Sequence, residues 1–401
     1  MRHTDRVVLC GAHNVNSLGV ARGLGRKGIS IILLDIDSRS MVRFSRFVSN
    51  RVSCIDPNSS EIGFVENLVA LGKSLDHRPV YIPTSDVEVL ALSKYNDILS
   101  SYFRMPVASF DTIDLLVNKK KFFQDVIRRN IPCPKTCFPE TVEETRKMAA
   151  EIGYPLVVKS AYSHRFILEF QKKVFVVHSP SELETAIELL EGAFQDFFLQ
   201  EIIPGNELYL FYTYLNHQSV PLGICGYDKV RQHPKDFGIG TICVSKDRPE
   251  PIQTAISYLQ DIAYCGFAEP EFKKDPRDGL HKLIEINTRT VMQTMLASTG
   301  GISMEYLAYQ DMIGCGVEPQ QMVPDGIMWI EEISELYYFL SAIRRGSYSL
   351  SEILGIQRHK IVLAGMAVDD PIPFVVELVR FFCDRLNLLW KKGRRKSVIL
   401  R

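Results

Sequence analysis

Two glutamates stand on either side of a turn signal in the stretch EPEFKKDPRDGLHKLIEINTR, residues 269–289. Asp278 and Gly279 are typical of the turn of a β-hairpin, so the flanking segments are expected to pair as antiparallel strands. If the register centres on Asp278, Glu271 lies directly opposite Glu285 on the same face of the sheet. A divalent cation bound between the two carboxylates would remove their repulsion.

Asn287 and Arg289 extend this face, because they follow Glu285 by two and four residues and alternate residues of a strand share a face. Ile284 and Ile286 are expected on the opposite face, in an apolar layer. Hard oxygen ligands with few other protein contacts suit Mg²⁺ that carries nucleotide phosphates. The pattern therefore predicts a site for a charged polyphosphate and the group that attacks it.

The chain begins as an open α/β unit, in which RVVLCG and ISIILLD are strands on either side of the helix LGVARGLGRKG. The connecting loop lacks Gly-x-Gly-x-x-Gly, having only Gly11 and Gly19, which argues against a nicotinamide dinucleotide site. Asp86 follows a third strand, PVYIP, at the end where open α/β sheets bind ligands. Asp86 is therefore a candidate ligand contact, with helix capping by Ser85 or Asp86 as the alternative.

Further along the chain, MPVAS is predicted to be a short strand and DLLVNKKKFFQDVIRRN one amphipathic helix. From Ala149 onward, strands such as IGYPLVVKS, KVFVVHS and VPLGICGYDKV indicate an α+β domain dominated by antiparallel sheet. After about residue 320 the pattern is mostly helical. The predicted fold is therefore a Rossmann-like α/β domain, followed by an α+β domain and a helical C-terminal segment.

The composition restricts the partners and the location that we expect. The 401 residues include 47 basic and 47 acidic side chains, without the basic stripe typical of nucleic-acid readers, so no nucleic-acid partner is expected. Nine scattered cysteines, an odd number, indicate reduced thiols and a cytoplasmic protein. Apolar runs are too short for a membrane span, and the start MRHTDRVVLCGAHN is too brief for a secretory signal.

The last segment, FVVELVRFFCDRLNLLWKKGRRK, combines an apolar face with a basic end. This amphipathicity suits either packing against the body of the protein or a weak contact with a membrane surface. The sequence leaves both alternatives open, and it also leaves open whether the chain forms a homodimer.

Several motifs occur in an order that resembles the ATP-grasp superfamily, and specifically its carboxylate–amine ligases of the D-aspartate ligase type. They are Asn118-Lys119 at the start of a helix, IPCP, GYPLVVK, QEIIPGNE, GFAEPEFKKD and LIEINTR. The resemblance implies a pre-ATP-grasp α/β domain over residues 1–115, an ATP-grasp domain over 116–318 and a mostly helical region over 319–401. It also implies that the protein uses ATP and Mg²⁺, with Mn²⁺ as a substitute.

The same resemblance implies a role for each matching residue on the hairpin. Glu271 and Glu285 would hold one or two magnesium ions, with Asn287 as a further ligand. Arg289 would stabilise the transferred phosphoryl group or the acyl phosphate. Lys229 and Arg231 match positions that usually contact phosphate or a substrate carboxylate.

The nucleotide contacts are implied in the same way. Lys119 and Lys159 would reach the α- and β-phosphates as flexible point charges. The adenine would be held, largely through the backbone, by a hinge of Glu201, Ile202 and Ile203. Glu207 would accept a hydrogen bond from the ribose.

The sequence departs from the family pattern at two places, the loop that covers the nucleotide phosphates and the region of the second substrate. After Lys159 many relatives have a glycine-rich loop, but this chain has SAYSHRF, in which the donors would instead be Ser160, Ser163, His164 and Arg165. After Arg289 the run TVMQT lacks the aromatic residue often found in relatives.

The function that we predict from these features is a ligation in two steps. ATP phosphorylates a small-molecule carboxylate, and an amine, or a thiol, then attacks the acyl phosphate. Positioning and charge neutralisation account for such catalysis without a protein nucleophile. The alternatives are a carboxylase-like phosphoryl transfer, a protein that binds or senses ATP without turnover, and a nicotinamide oxidoreductase.

Overall fold

The computed structural model describes residues 6–11, 15–162, 170, 172, 174–190, 196–234, 237–345 and 359–399. An open α/β unit comes first, with a parallel sheet in the order β3-β2-β1-β4. Its strands are β1 (Arg6–Cys10), β2 (Ser30–Asp35), β3 (Val48–Ser53) and β4 (Val80–Ile82). Its helices are α1 (Val15–Gly25), α2 (Glu61–Lys73), α3 (Asp86–Lys94) and α4 (Asn96–Leu99).

The predicted strand MPVAS is wrong. Residues of this region make only isolated bridges, one between Val80 and Arg104 and one between Val107 and Gly266. With a bridge on each side, the segment passes from the first sheet to the strand that begins at Gly266 without forming a ladder.

The predicted single helix over DLLVNKKKFFQDVIRRN is also wrong, because the structure has two helices, α5 (Phe110–Val117) and α6 (Lys119–Arg128). Asn118 separates them, and its side chain accepts hydrogen bonds from the backbone N–H groups of Lys120 and Lys121 at 3.1 Å. An asparagine that caps the second helix in this way favours a break over a continuous helix. Lys119 therefore begins a helix, as the family motif predicts.

A small antiparallel sheet follows, in the order β5-β8-β6-β7. Its strands are β5 (Thr136–Cys137), β6 (Leu156–Ser160), β7 (Phe175–Val177) and β8 (Phe197–Glu201). The helices α7 (Val142–Ile152) and α8 (Pro180–Leu189) cover it. Residues of both helices share a buried apolar cluster with the strands, including Ala149, Val158 and Leu183.

The largest sheet has seven strands in the order β13-β12-β9-β10-β11-β14-β15. Its first five strands in chain order are β9 (Leu208–Leu215), β10 (Pro221–His233), β11 (Ile239–Ser245), β12 (Gly266–Lys274) and β13 (His281–Asn287). The helices next to it are α9 (Pro249–Asp261), α10 (Thr294–Thr299) and α11 (Met304–Met312). These strands pair antiparallel with their neighbours, as the sequence predicts.

The C-terminal region contributes two strands that the sequence analysis missed. Strand β14 (Ile327–Ile330) pairs antiparallel with β11, and β15 (Lys360–Leu363) pairs in parallel with β14. The helices of this region are α12 (Glu332–Arg345) and α13 (Ile372–Ile399). Strands of four residues show no clear local periodicity. Here β14 is fixed by pairing with the distant strand β11, and β15 by pairing with β14.

One buried core joins the first sheet to the large one. Val7 and Leu9 of β1 belong to the same apolar cluster as Tyr212 of β9, Phe267 of β12 and Trp329 of β14. The carboxyl end of β4 and the hairpin of β12 and β13 are therefore held near each other, and the site described below lies where they meet.

Candidate active site

The hairpin of β12 and β13 has the register that the sequence predicts. Glu271 is paired with Glu285, and Glu269 with Asn287. The backbone of Gly279 in the connecting turn has a φ of +77°, in the left-handed region that favours glycine. Two pairs of polar side chains therefore follow one another along this part of the ladder.

A bulge between Glu271 and Phe272 changes which side chains enter the apolar layer. Beyond the bulge Phe272 pairs with Leu283, so Ile284 is the extra residue of β13. Leu283 and Ile286 are buried in the core, whereas Ile284 is only partly buried. The predicted place of Ile286 is correct, but Leu283 takes the place that was predicted for Ile284.

Each of the opposed glutamates has a lysine partner from another part of the chain. The Lys119 ammonium at the start of α6 contacts the Glu285 carboxylate, and Lys229 Nζ of β10 lies 2.8 Å from Glu271 Oε1. Burial opposes the charged form of both lysines, but the facing carboxylates outweigh it and raise the pKa of Lys119 and of Lys229. The face of the hairpin therefore accommodates positive charge at both glutamates.

Lys159 lies at the end of β6 and has a different environment. Its Nζ donates a 2.7 Å hydrogen bond to Oε1 of the buried Gln200, a neutral partner. Burial, together with the nearby charge of Lys119, lowers the pKa of Lys159 to about 7. An anionic ligand would restore the protonated form of this side chain.

Arg289 connects the hairpin to the first domain. Its Nε donates to Asp86 Oδ1 at 3.1 Å, and its Nη2 lies 3.4 Å from Asn287 Oδ1. Burial opposes ionisation, but Asp86 and Glu269 outweigh it and raise the pKa of Arg289. Ser85 caps helix α3, and Asp86 pairs with Arg289. A contact between Asp86 and a ligand stays a prediction.

Glu269 is a site residue that the sequence analysis missed. The carboxylate is buried, receives a hydrogen bond from the Tyr227 hydroxyl and accepts another from Asn287 Nδ2 at 2.8 Å. Burial raises the pKa of Glu269 to about 7, against the effect of these two donors. The signal was available, because Glu269 precedes Glu271 by two residues and therefore shares its face.

The donor atoms on this face fit a magnesium ion that also binds phosphate oxygens. Across the described ranges, no three His, Cys, Asp or Glu side chains converge to hold a metal by themselves. Glu271, Glu285 and Asn287 instead offer two carboxylates and one amide, and Mg²⁺ in nucleotide sites commonly uses one or two carboxylates plus phosphate and water. The two ammonium groups already near these carboxylates show that cationic charge is compatible with their position.

The remaining predicted nucleotide residues lie around the end of β8. The Glu201 carboxylate accepts from the Lys135 backbone N–H at 2.8 Å and contacts Arg277 at 2.7 Å. Ile202 is partly buried and Ile203 is buried. The side chain of Glu207 is 70% exposed, 3.6 Å from Lys274.

Two of the predicted residues, Arg231 and Ser160, have partners outside the hairpin. Arg231 contacts Glu335 of α12, and its guanidinium lies 4.5 Å from the centre of the Tyr338 ring. In the segment after Lys159, Ser160 Oγ accepts from the Tyr162 backbone N–H at 3.3 Å. The other donors predicted in that segment lie outside the described residues: Ser163, His164 and Arg165.

The architecture combines an open α/β unit, a small antiparallel sheet, and a large sheet with two opposed carboxylates. No family model matches the chain. It is similar to D-aspartate ligase from Enterococcus faecium (strain Aus0004), with 24% identity over 293 residues that cover 69% of each protein. The predicted resemblance to ATP-grasp carboxylate–amine ligases is thereby confirmed.

Solved structures show the same fold. Biotin carboxylase from Campylobacter jejuni, in a β-γ-ATP complex, has a TM-score of 0.63 at 18% identity, covering 81% of this chain and 75% of its own. L-amino acid ligase from Bacillus licheniformis has a TM-score of 0.58 at 15% identity, covering 78% and 75%. The predicted ATP-grasp fold is confirmed at this level, and the domain boundaries at residues 115 and 318 stay predictions.

Proposed function

We propose that this chain is an ATP-dependent ligase that joins a small-molecule carboxylate to an amine, or to a thiol, through an acyl phosphate. The enzyme class predicted from the sequence, a ligase that forms a C–N bond with ATP, is confirmed by the similarity to D-aspartate ligase. One observation carries the proposal: the opposed pair of Glu271 and Glu285, with Asn287 and Arg289 beside it. By analogy with D-aspartate ligase and L-amino acid ligase, we propose amino acids or similar molecules as substrates.

In this proposal the nucleotide lies between the small sheet and the hairpin face. Lys119 and Lys159 bind its phosphates, which replace Glu285 and Gln200 as their partners. Glu201, Ile202 and Ile203 form the adenine hinge, and Glu207 accepts from the ribose. The 2.7 Å hydrogen bond from Lys159 Nζ to Gln200, the residue before Glu201 in β8, supports this arrangement.

Glu271, Glu285 and Asn287 would hold Mg²⁺, or Mn²⁺ as a substitute. The ion would supply neutralisation of phosphate charge at the reacting groups. Lys229, released from Glu271, would bind the substrate carboxylate. Arg231 can join it only by leaving Glu335, so we assign Arg231 a weaker part than the sequence implied.

The reaction balances without a protein nucleophile. An oxygen of the substrate carboxylate attacks the γ-phosphorus of ATP, and ADP leaves. The amine then attacks the acyl carbon, loses a proton, and inorganic phosphate leaves. Arg289, oriented by Asp86, stabilises the charge of the transferred phosphoryl group.

The experiment measures ADP release with hydroxylamine as a surrogate nucleophile, over a panel of amino acids and other carboxylates. We expect ADP and the hydroxamate of one acid in equal amounts. Glu285→Ala should abolish both while the melting temperature stays close to that of the wild type. Unchanged turnover of Glu285→Ala rejects the assigned role. ADP release without hydroxamate favours a phosphoryl transfer of the carboxylase type, and nucleotide binding without ADP release favours an ATP sensor.

The location is also a proposal. All nine cysteines are free thiols in the structure, which suits the reducing and ATP-rich cytoplasm.

A further inference from the structure

Helix α13 packs against the protein on one face and leaves an apolar stripe exposed on another. On the packed face, the ring of the buried Phe381 lies 4.6 Å from that of Tyr337 on α12. The stripe consists of apolar residues spaced three and four apart, each more than half exposed: Ile372, Val375, Val379 and Phe382. Residues with this spacing share one face of a helix. A contiguous exposed apolar stripe indicates an interaction surface.

The charge of α13 differs from that of the chain as a whole. The helix has seven basic residues and two acidic ones, whereas the whole chain has 47 of each. Both acids have a basic partner within the protein, Asp384 with Arg39 at 2.8 Å and Glu377 with Arg380 at 3.8 Å. Five of the basic residues lie in KKGRRK, residues 391–396, near the end of the helix. The helix is therefore cationic, and the rest of the chain has an excess of acid.

This charge decides between the occupants that could cover the stripe. Two copies of α13 packed in parallel along their stripes would bring their basic ends side by side, and the repulsion between these ends opposes that dimer. An anionic lipid surface offers both an apolar layer for the stripe and negative charge for the basic end. No helix in the described part of the chain is long and apolar enough to cross a bilayer, so α13 would lie along the surface.

We propose that α13 binds the surface of an anionic lipid bilayer, with the stripe entering the interface between headgroups and acyl chains. The inference stands on the helix alone and is independent of the ligase function. It also unites the two alternatives that the sequence left open, because the helix packs against the protein and still presents an amphipathic surface.

The test is co-sedimentation of the full chain with vesicles of phosphatidylcholine and phosphatidylserine in equal parts, and with vesicles of phosphatidylcholine alone. We expect sedimentation with the anionic vesicles only, weakened by added salt. The double variant Val379→Gln/Phe382→Gln should lower the partition coefficient by about tenfold or more. The matched control is Ile62→Gln/Leu189→Gln, which removes two apolar side chains of similar exposure elsewhere and should bind like the wild type.

Three results would overturn the proposal. One is equal binding to both kinds of vesicle, or to neither. Another is unchanged binding of the stripe variant at an unchanged melting temperature. The third is a dimer in sedimentation velocity that the stripe variant abolishes, which would assign the stripe to a second copy. If the stripe variant does not fold, the triple variant Lys391→Gln/Lys392→Gln/Arg394→Gln tests the proposal instead. A retained preference of this variant for anionic vesicles would contradict the proposed role of the basic end.

Discussion

Glu269 and Asn287 face each other across the hairpin, and the Asn287 amide donates a 2.8 Å hydrogen bond to the Glu269 carboxylate. This bond fixes which end of the amide is the donor, so the oxygen of Asn287 is presented away from Glu269. We propose that Glu269, by orienting Asn287 in this way, tunes the metal affinity of the hairpin face without touching the ion.

Glu269→Ala is expected to raise the Mg²⁺ concentration needed for half-maximal ADP release by about 10- to 100-fold. The cause is that Asn287 loses its acceptor and no longer holds one orientation. Direct Mn²⁺ binding, followed by electron paramagnetic resonance, measures the affinity without turnover. Glu66→Ala, an exposed position on α2, is the control. An unchanged metal affinity in a folded Glu269→Ala protein would show that this bond has no positioning role.

The pKa of Lys159 predicts how nucleotide affinity changes with pH. Without ligand this pKa is lowered to about 7, and the phosphate-bound form needs the protonated amine. Below about pH 7 the amine is already charged, whereas above it the protein must take up a proton on binding. ADP affinity should therefore fall as pH rises through about 7, by at most about tenfold per pH unit.

Lys159→Arg tests this explanation, because arginine stays protonated throughout the range. Calorimetric titration with ADP from about pH 6 to about pH 9 should show a flatter profile for the variant than for the wild type. Both proteins bind the same nucleotide, so the effect of pH on the ionisation of ADP is the same in both profiles and cancels when they are compared. Parallel profiles would mean that Lys159 is not the group that titrates.

The contact between Arg289 and Asp86 predicts an effect on turnover rather than on binding. Asp86→Asn removes the charge that orients the guanidinium, so kcat should fall while KM for ATP changes little. Arg289→Ala should reduce kcat by about 100-fold or more, the usual effect of losing a donor aimed at developing charge. Arg51→Ala, an exposed arginine of β3, should be neutral. A rise in KM at constant kcat would place Arg289 in ground-state binding instead.

A buried ion pair ties the C-terminal segment to the first domain. Arg22 Nε of α1 lies 3.0 Å from Asp370 Oδ2, both side chains are almost fully buried, and Ser45 Oγ donates to the same carboxylate at 2.8 Å. Arg22→Met leaves this carboxylate buried without its counter-charge. The variant should lose about 3–5 kcal/mol of unfolding free energy.

Urea unfolding of Arg22→Met, compared with Arg146→Met, measures this effect. Arg146 forms an exposed pair with Glu184, so its loss should change stability little. If the two variants unfold at the same urea concentration, the buried ion pair does not contribute the predicted unfolding free energy.

Local patterns made the hairpin predictable from the sequence. The turn at Asp278 and Gly279 and the alternation of residues around Glu271 and Glu285 fix the pairing and the shared face without knowledge of the rest of the fold. The bulge that exchanges Ile284 for Leu283 was not predictable, because a bulge depends on how the ladder fits its neighbours.

Contacts between distant parts of the chain were not predictable. Arg289 and Asp86 are 203 residues apart, and Lys119 and Glu285 are 166 apart. No local sequence pattern indicates that the two residues of each pair are in contact. The family resemblance implied that the cations contact phosphate, and only the structure shows which carboxylates they contact.

The most direct test of the account is a calorimetric titration with ADP, in the presence and absence of Mg²⁺, of the wild type and Glu285→Ala. Mg²⁺ should strengthen ADP binding to the wild type, whereas Glu285→Ala should lose this increment but keep its fold by circular dichroism. No ADP binding to the wild type, or the same Mg²⁺-dependent increment in both proteins, would contradict the claim that the hairpin face holds a metal–nucleotide complex.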